Sequence, residues 1–423
     1  MFGDTLGVST NYNSKNYLKI NFAILFFFSL YLFNNALRTT VLYELSFYNI
    51  PFFITSFLYI IFSFKKGNIN YLLFYMILSL SIFISLEYVF LWKHPISFLI
   101  MSIISLFLPL LMTAIIIDRE SIMQGFLKFL KFYNSLIIIL LIFGVIDYIS
   151  GSKIQLYLAN NFFKESQLSQ LIMTEYYYYG IYRYYSFLGH PLTNANYFLV
   201  FIVLNNIYSK INKKYIISKY LIILISLFGL ILSGSKTGIV LGILANLLMI
   251  DIKRNKFVLL FIVLVATLFY FSPLFQQNLL ARFVEGIETG DITTGRNTLL
   301  TDLIRYGKEK PGIFIGGGVD YSREVAINLG GGITNFEYPA IMLAYDYGIV
   351  VTIIIYLIIF IIPIVRMLYN REYFIAINFL LISVMVNTNN GIANLGSDAL
   401  AQLCFLIFLF NNLVNRNLKT NNA

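Results

Sequence analysis

Run after run of mostly apolar residues constrains this chain more than any other feature. A helix needs roughly 20 such residues to cross the ~30 Å hydrocarbon layer of a bilayer. Twelve stretches of about that length can be marked, at 18–37, 47–64, 70–88, 95–117, 132–150, 192–208, 216–233, 236–251, 256–273, 343–366, 372–388 and 395–414. Lipid offers the backbone no hydrogen-bond partner, so each run must satisfy itself as a helix. The whole chain is 59% hydrophobic and 12% charged, where a soluble domain is nearer half and a quarter. The expected fold class is therefore an all-α polytopic membrane protein with about 12 transmembrane helices, residues 1–423 forming a single integral membrane domain.

Charge placement sets the expected orientation. The stretch MFGDTLGVSTNYNSKNYLKI is too polar for a cleavable signal peptide, so the first apolar run is expected to stay as a helix. With both termini on one side, the short segments on that side hold eighteen Lys and Arg, against three (Arg38, Lys93 and Lys236) in the short segments opposite. Positive charge collects on the cytoplasmic side of short loops. Both termini are then cytoplasmic, and the two long gaps, 151–191 and 274–337, are extracytoplasmic. The formal charge of +10 is largely a topology signal, and no nucleic-acid partner is expected. Cys404 is the only cysteine, and His94 and His190 are far apart, so a disulfide or a spaced His/Cys metal site is not expected. No internal repeat and no mid-membrane Asp/Glu/His chain marks a transporter.

The chemistry-bearing residues sit in the long gaps. The first contains EYYYYGIYRYYSFLGHP, Glu175 to Pro191. Its tyrosines suit a membrane interface, or a sugar surface on which rings stack and hydroxyls bond; Tyr182, Tyr184, Tyr185 and Tyr338 are the candidates for glycan contact. Arg183 precedes a helix, and Arg296 lies in ITTGRNTLLTDLIRYG, where Thr294 or Gly295 can cap a short helix. A guanidinium beside a helix start suits an anion; solvated loop arginines are the alternative. Arg282, Arg305 and Lys236 add positive charge. His190 precedes Pro191 at the mouth of a helix and can act as a base, a donor to phosphate or a packing residue. Glu337 lies where the chain re-enters the membrane; an apolar wall there would suit a general base. Asp346 is expected to end a short helix at Gly348. Gly316–Gly318 and Gly330–Gly332 permit close backbone approach; neither they nor SGSKTG form a phosphate-binding P-loop.

These segments, taken in order, resemble a known family. RYYSFLGHPLTNANYF, LSGSKTGIVLGILANLLMI, TGRNTLLTDLIRYGKEKPGIFIGGG and FEYPAIMLAYDYGIV are similar to the bacterial O-antigen polymerase (Wzy) of the O-antigen polymerase/ligase superfamily, over about residues 180–365. The resemblance implies a GT-C type glycosyltransferase architecture with two long periplasmic loops in the bacterial inner membrane. It implies an undecaprenyl-pyrophosphate-linked glycan as donor and no cofactor, metal or nucleotide sugar. Lipid-linked oligosaccharide substrates and membrane lipids are the implied partners, with a chain-length regulator as a protein partner the family admits. Arg183 and Arg296 match the family's pyrophosphate-holding arginines, and Lys236 stands where an arginine is usual. The ligases carry His-Asn near the end of the second loop, where this chain has Glu337-Tyr338 and no histidine after position 190. The resemblance therefore favours a polymerase with Glu337 as base and His190 in reserve. A ligase delivering glycan to lipid A core is the alternative, and a lipid-linked sugar flippase the other.

Overall fold

The computed structural model describes residues 23–42, 45–46, 48–92, 95–162, 168–249, 256–288, 290, 296–307, 310–329, 336–389 and 391–415. They form helices and no strand beyond one isolated bridge between Ile69 and Ile115. In chain order the apolar elements are α1 (Ala23–Leu32), α2 (Asn35–Leu42), α3 (Ile50–Lys65), α4 (Tyr71–Trp92), α5 (Ile96–Met112) and α6 (Arg119–Ile149). The first long gap contributes α7 (Lys153–Phe162) and α8 (Leu168–Met173). Then follow α9 (Pro191–Asn212), α10 (Lys219–Leu232), α11 (Lys236–Leu248) and α12 (Lys256–Tyr270). The second gap holds α13 (Ala281–Glu288), α14 (Arg296–Tyr306) and α15 (Tyr321–Asn328). The chain closes with α16 (Pro339–Tyr347), α17 (Ile349–Tyr369), α18 (Tyr373–Val386) and α19 (Ala399–Leu413).

Three of these helices, α4, α6 and α17, are long and apolar enough to cross a membrane, and several others are apolar but shorter. Large apolar side chains such as Leu72, Phe90 and Phe257 point outward, a surface suited to lipid rather than water. Helix starts are set by short polar side chains. Asn49, Asn70, Asp118 and Ser235 each accept a backbone N–H of the first turn of α3, α4, α6 and α11. The 132–150 expectation covers only the second half of α6. The Asp118 cap starts that helix at Arg119, and a buried face through Ile122, Phe126, Phe129 and Tyr133 carries it past Lys128 and Lys131.

The centre of the fold is α9, which is buried all round from Tyr197 to Ile207 and packs against α6, α10, α11 and α18. A helix apolar on every face must be surrounded. On the other side, α19 is likewise buried and packs on α1, α5, α6 and α17. Amide side chains join the helices. Asn134 of α6 and Asn205 of α9 exchange hydrogen bonds of 3.1 and 2.8 Å, and Asn412 bonds the carbonyl of Ile115 and the N–H of Ile117. Such pairs hold helices together where apolar contact alone gives little preference over lipid.

The α9–α10 contact depends on one missing methyl group. A Cβ on Gly229 would run into the Phe198 ring, and both residues sit deep in the core. Gly229→Ala should therefore lose about 1–3 kcal/mol through overpacking, read as a lowered melting temperature of the purified protein. An unchanged melt would mean that the two helices do not meet this closely.

Candidate functional site

The tyrosine-rich stretch of the first gap is held down by its own side chains. The Tyr182 hydroxyl donates to Asp147 at 2.8 Å and the Tyr184 hydroxyl to the Leu140 carbonyl at 2.9 Å. The Tyr184 N–H donates to the Leu232 carbonyl at 2.9 Å, and the Tyr185 N–H to the Gln155 side chain at 3.0 Å. From the other side, the fully buried Asn194 of α9 donates to the carbonyls of Tyr184, Tyr185 and His190. The rings of Tyr182, Tyr184 and Tyr185 are consequently buried. They serve as packing rather than as the open glycan surface expected of them. The rings facing outward are those of Tyr177, Tyr178 and Tyr179.

Arg183 meets the turn between α10 and α11. Its Nη1 donates to Glu175 at 2.8 Å, and the other Glu175 oxygen accepts the Tyr185 hydroxyl at 2.7 Å. Burial pushes the Tyr185 phenol well up; Arg183 pulls it partly back and Glu175 pushes it further. The phenol therefore stays protonated as a donor to Glu175. The Arg183 stem lies over Gly234, where a Cβ would come within 3.2 Å of Cγ. Gly234 has φ of 63°, a left-handed turn suited to glycine. Its carbonyl accepts from Arg282 at 2.9 Å, and Lys236 donates to the Arg282 carbonyl at 2.7 Å. Three cations from three separate segments, Arg183, Lys236 and Arg282, are thus gathered round one turn with one carboxylate. The buried Arg183 Nε has no hydrogen-bond partner among the described residues.

The rest of the second gap forms its own group. α14 begins at Arg296, as the sequence suggests, but the Arg296 side chain, Thr294 and Gly295 lie outside the described residues. The next residue, Asn297, accepts the Tyr338 hydroxyl at 2.8 Å, so the start of α14 stands beside Glu337-Tyr338. Glu337 is exposed and has a left-handed φ of 53°, not the apolar wall expected for it. A residue held in this sparsely populated region is aimed by its surroundings. Arg305, on the last turn of α14, is exposed. Asp346 ends α16 before Gly348 (φ 93°) and accepts the Ser322 N–H at 2.7 Å. Gly316–Gly318 close against it: Gly317 and Gly318 donate to the carbonyls of Tyr345 and Asp346 at 2.8 and 2.9 Å. Gly330–Gly332 lie outside the described residues.

His190 stands at the lip of a cavity of about 860 Å³. Its Nδ1 accepts the Leu192 N–H at 3.2 Å, which caps α9. With Nδ1 occupied as an acceptor, the neutral ring carries its proton on Nε2. His190 is thereby fitted as a donor rather than as a base. Deeper in, Asp398 lines the cavity and is bound at 2.7 Å by Arg38 and at 2.8 Å by Asn49. Arg38 is 1% exposed and Asp398 7%; Arg38 also donates to the carbonyls of Ser46 and Phe33. Sequence reading counted Arg38 only as a loop charge and passed over Asp398. The available signal was one lone charge at the edge of each of two apolar runs. Asp147, Gln155 and Asn194 were missed for a different reason, since each is a single polar residue whose partners in the tyrosine-rich stretch, the Tyr182 hydroxyl, the Tyr185 N–H and the carbonyls of Tyr184 and Tyr185, are fixed by the folding of that stretch.

No family model, curated protein or solved structure matches this chain.

Proposed function

We propose that the chain is a membrane glycosyltransferase that polymerises a surface polysaccharide from lipid-linked repeat units. In this reading it is a protein of about twelve membrane helices and GT-C type. It sits in the inner membrane with both termini cytoplasmic and both long loops periplasmic. The donor is glycan on undecaprenyl pyrophosphate. The observation that carries the reading is the cationic turn, where Arg183, Lys236 and Arg282 gather from three separate segments. A diphosphate would supply acceptors to this group and outweigh Glu175 as the partner of Arg183.

The chemistry asked of the protein is modest. An acceptor hydroxyl attacks the anomeric carbon of the donor, the new glycosidic bond forms, and the bond from that carbon to the diphosphate oxygen breaks. The lipid pyrophosphate leaves with the electron pair, and fixed cations stabilise the charge growing there. The hydroxyl proton passes to a base; Glu337, aimed outward beside Tyr338, is the assigned group, and His190 is a donor to the glycan or phosphate. Arg296 is assigned to the same diphosphate on the strength of its position at the start of α14.

The test is direct. Purified protein in detergent, without any gradient, should convert lipid-linked repeat units extracted from the same cells into a ladder of longer chains. Repeats returned unchanged would overturn the polymerase reading, and transfer onto lipid A core would replace it with a ligase.

A further inference from the structure

The end of the bundle away from the cationic turn gathers positive charge of its own. The 14 residues of α10, about 21 Å of helix, separate the Gly234 turn from the connection that follows α9. Residues 210–219 and 366–372 hold six cations, Lys210, Lys213, Lys214, Lys219, Arg366 and Arg371, against one carboxylate, Glu372. Packing brings these two stretches together. Asn206 of α9 donates to Asn378 of α18 at 3.3 Å, and one turn further Lys210 Nζ lies 5.4 Å from the centre of the Phe374 ring. The next turn of this antiparallel register sets Lys213 beside Arg371.

Both of these cations stand in strained backbone. Lys213, which ends α9, has φ of 54°, and Arg371, which follows α17, has φ of 59°. This left-handed region crowds a Cβ against the carbonyl and suits glycine. α3 closes in the same way with a glycine: the Asn68 N–H donates to the Ser63 carbonyl across Gly67, whose φ is 66°. At α17 the Glu372 N–H donates to the Met367 carbonyl, and Arg371 stands where a glycine would relieve the strain. A charge that only orients a membrane protein needs the correct side of the bilayer, not a fixed and strained position. Lys213, Lys214 and Arg371 are exposed and make no ion pair among the described residues. The surface around them is shaped for a lipid. Tyr369 and Tyr373 face outward beside Arg371, as Tyr215 does beside Lys214, and tyrosines favour the headgroup level of a bilayer. Further along, Ile361, Val365 and Leu368 of α17 and Ile377 and Leu380 of α18 also face outward. The cations therefore lie at the end of an apolar strip formed by two packed helices.

We propose that this helix-end cluster binds the headgroup of an anionic phospholipid through Lys213 and Arg371, with the acyl chains along the outward faces of α17 and α18. Net positive charge selects an anionic headgroup over a zwitterionic one, and the apolar strip selects a lipid over a soluble phosphate. Such a site requires a bilayer but no transferase activity, so it is independent of the polymerase reading.

Native mass spectrometry of the delipidated full chain tests this with phosphatidylglycerol and phosphatidylethanolamine of equal chain length. Wild type should hold phosphatidylglycerol about 30-fold more tightly, the scale of two surface cations. Lys213→Gln combined with Arg371→Gln should bring the two lipids nearly level. Lys213→Gly combined with Arg371→Gly should lose the same preference yet melt no lower than wild type in phosphatidylethanolamine nanodiscs, because glycine relieves the left-handed strain. Removing two cations elsewhere, as Lys65→Gln with Lys66→Gln at the end of α3, should leave the preference intact. Equal retention of the two lipids by wild type, an undiminished preference in the glutamine pair, an equal loss in the α3 pair, or displacement of the lipid by equimolar inorganic pyrophosphate would each overturn the proposal. If the preference follows the stated pattern while lipid-linked repeats are returned unchanged, the phospholipid site stands and the polymerase reading falls.

Discussion

Asp398→Ala is expected to cost about 3–5 kcal/mol of stability, because it strands a buried guanidinium. Arg38 stays in place, held by the carbonyls of Ser46 and Phe33 at 3.0 and 3.1 Å, and is only 1% exposed. The Asn49 Nδ2 loses this carboxylate at the same time and keeps the Ser29 carbonyl. Through Arg38, Ser46 and Asn49, α2 and the connections before α3 and before α19 are tied together at Asp398, so the melting temperature should fall and the cavity floor should change shape. Replacing both charges, as Arg38→Met with Asp398→Leu, should recover much of the loss, since an apolar pair avoids the unpaired charge. The cost of the double variant should be well below the sum of the singles, the mark of direct coupling. A single variant within about 0.5 kcal/mol of wild type, the range of ordinary surface changes, would refute the buried pair.

Arg183→Ala should remove polymer synthesis by about 100-fold or more, the scale seen when one fixed donor to a developing anion is deleted. Arg183→Lys should rescue it only in part. A lysine keeps the charge but loses the planar fork that can hold Glu175 with one nitrogen and a phosphate with others. Folding should change little, because Tyr185 still donates to Glu175 at 2.7 Å and Asn194 still anchors the loop backbone. Glu175→Gln should act in the opposite direction and tighten diphosphate binding, since it removes the carboxylate paired with Arg183 at 2.8 Å. Full-length polymer from Arg183→Ala would end the clamp role.

These two clusters show what was legible in the residues. Apolar runs and the SGS break marked the helices α10 and α11, the clustering of basic residues in the two long gaps led to Arg183 and Arg282, and the SGSKTG turn to Lys236. Spacing alone could not say that the rings of Tyr182, Tyr184 and Tyr185 face inward, since that depends on Asp147, Gln155 and Leu140 elsewhere in the chain. Nor could it pair Arg38 with Asp398, 360 positions away. The polar cavity was hidden for a related reason. Asn34, Asn196 and Gln402 each read as an isolated amide in or beside an apolar run, and only packing brings them to one space.

The central claim is that fixed guanidinium and ammonium groups gathered round Gly234 hold a lipid diphosphate. Native mass spectrometry of the full chain, with undecaprenyl pyrophosphate and undecaprenyl phosphate competing in the presence of EDTA, tests it most directly. The account predicts a clear preference for the diphosphate that survives the chelator, weakens in Arg183→Ala and in Arg282→Ala, and vanishes when the two are combined. Equal binding of the two lipids, or a preference untouched in the double variant, would contradict it.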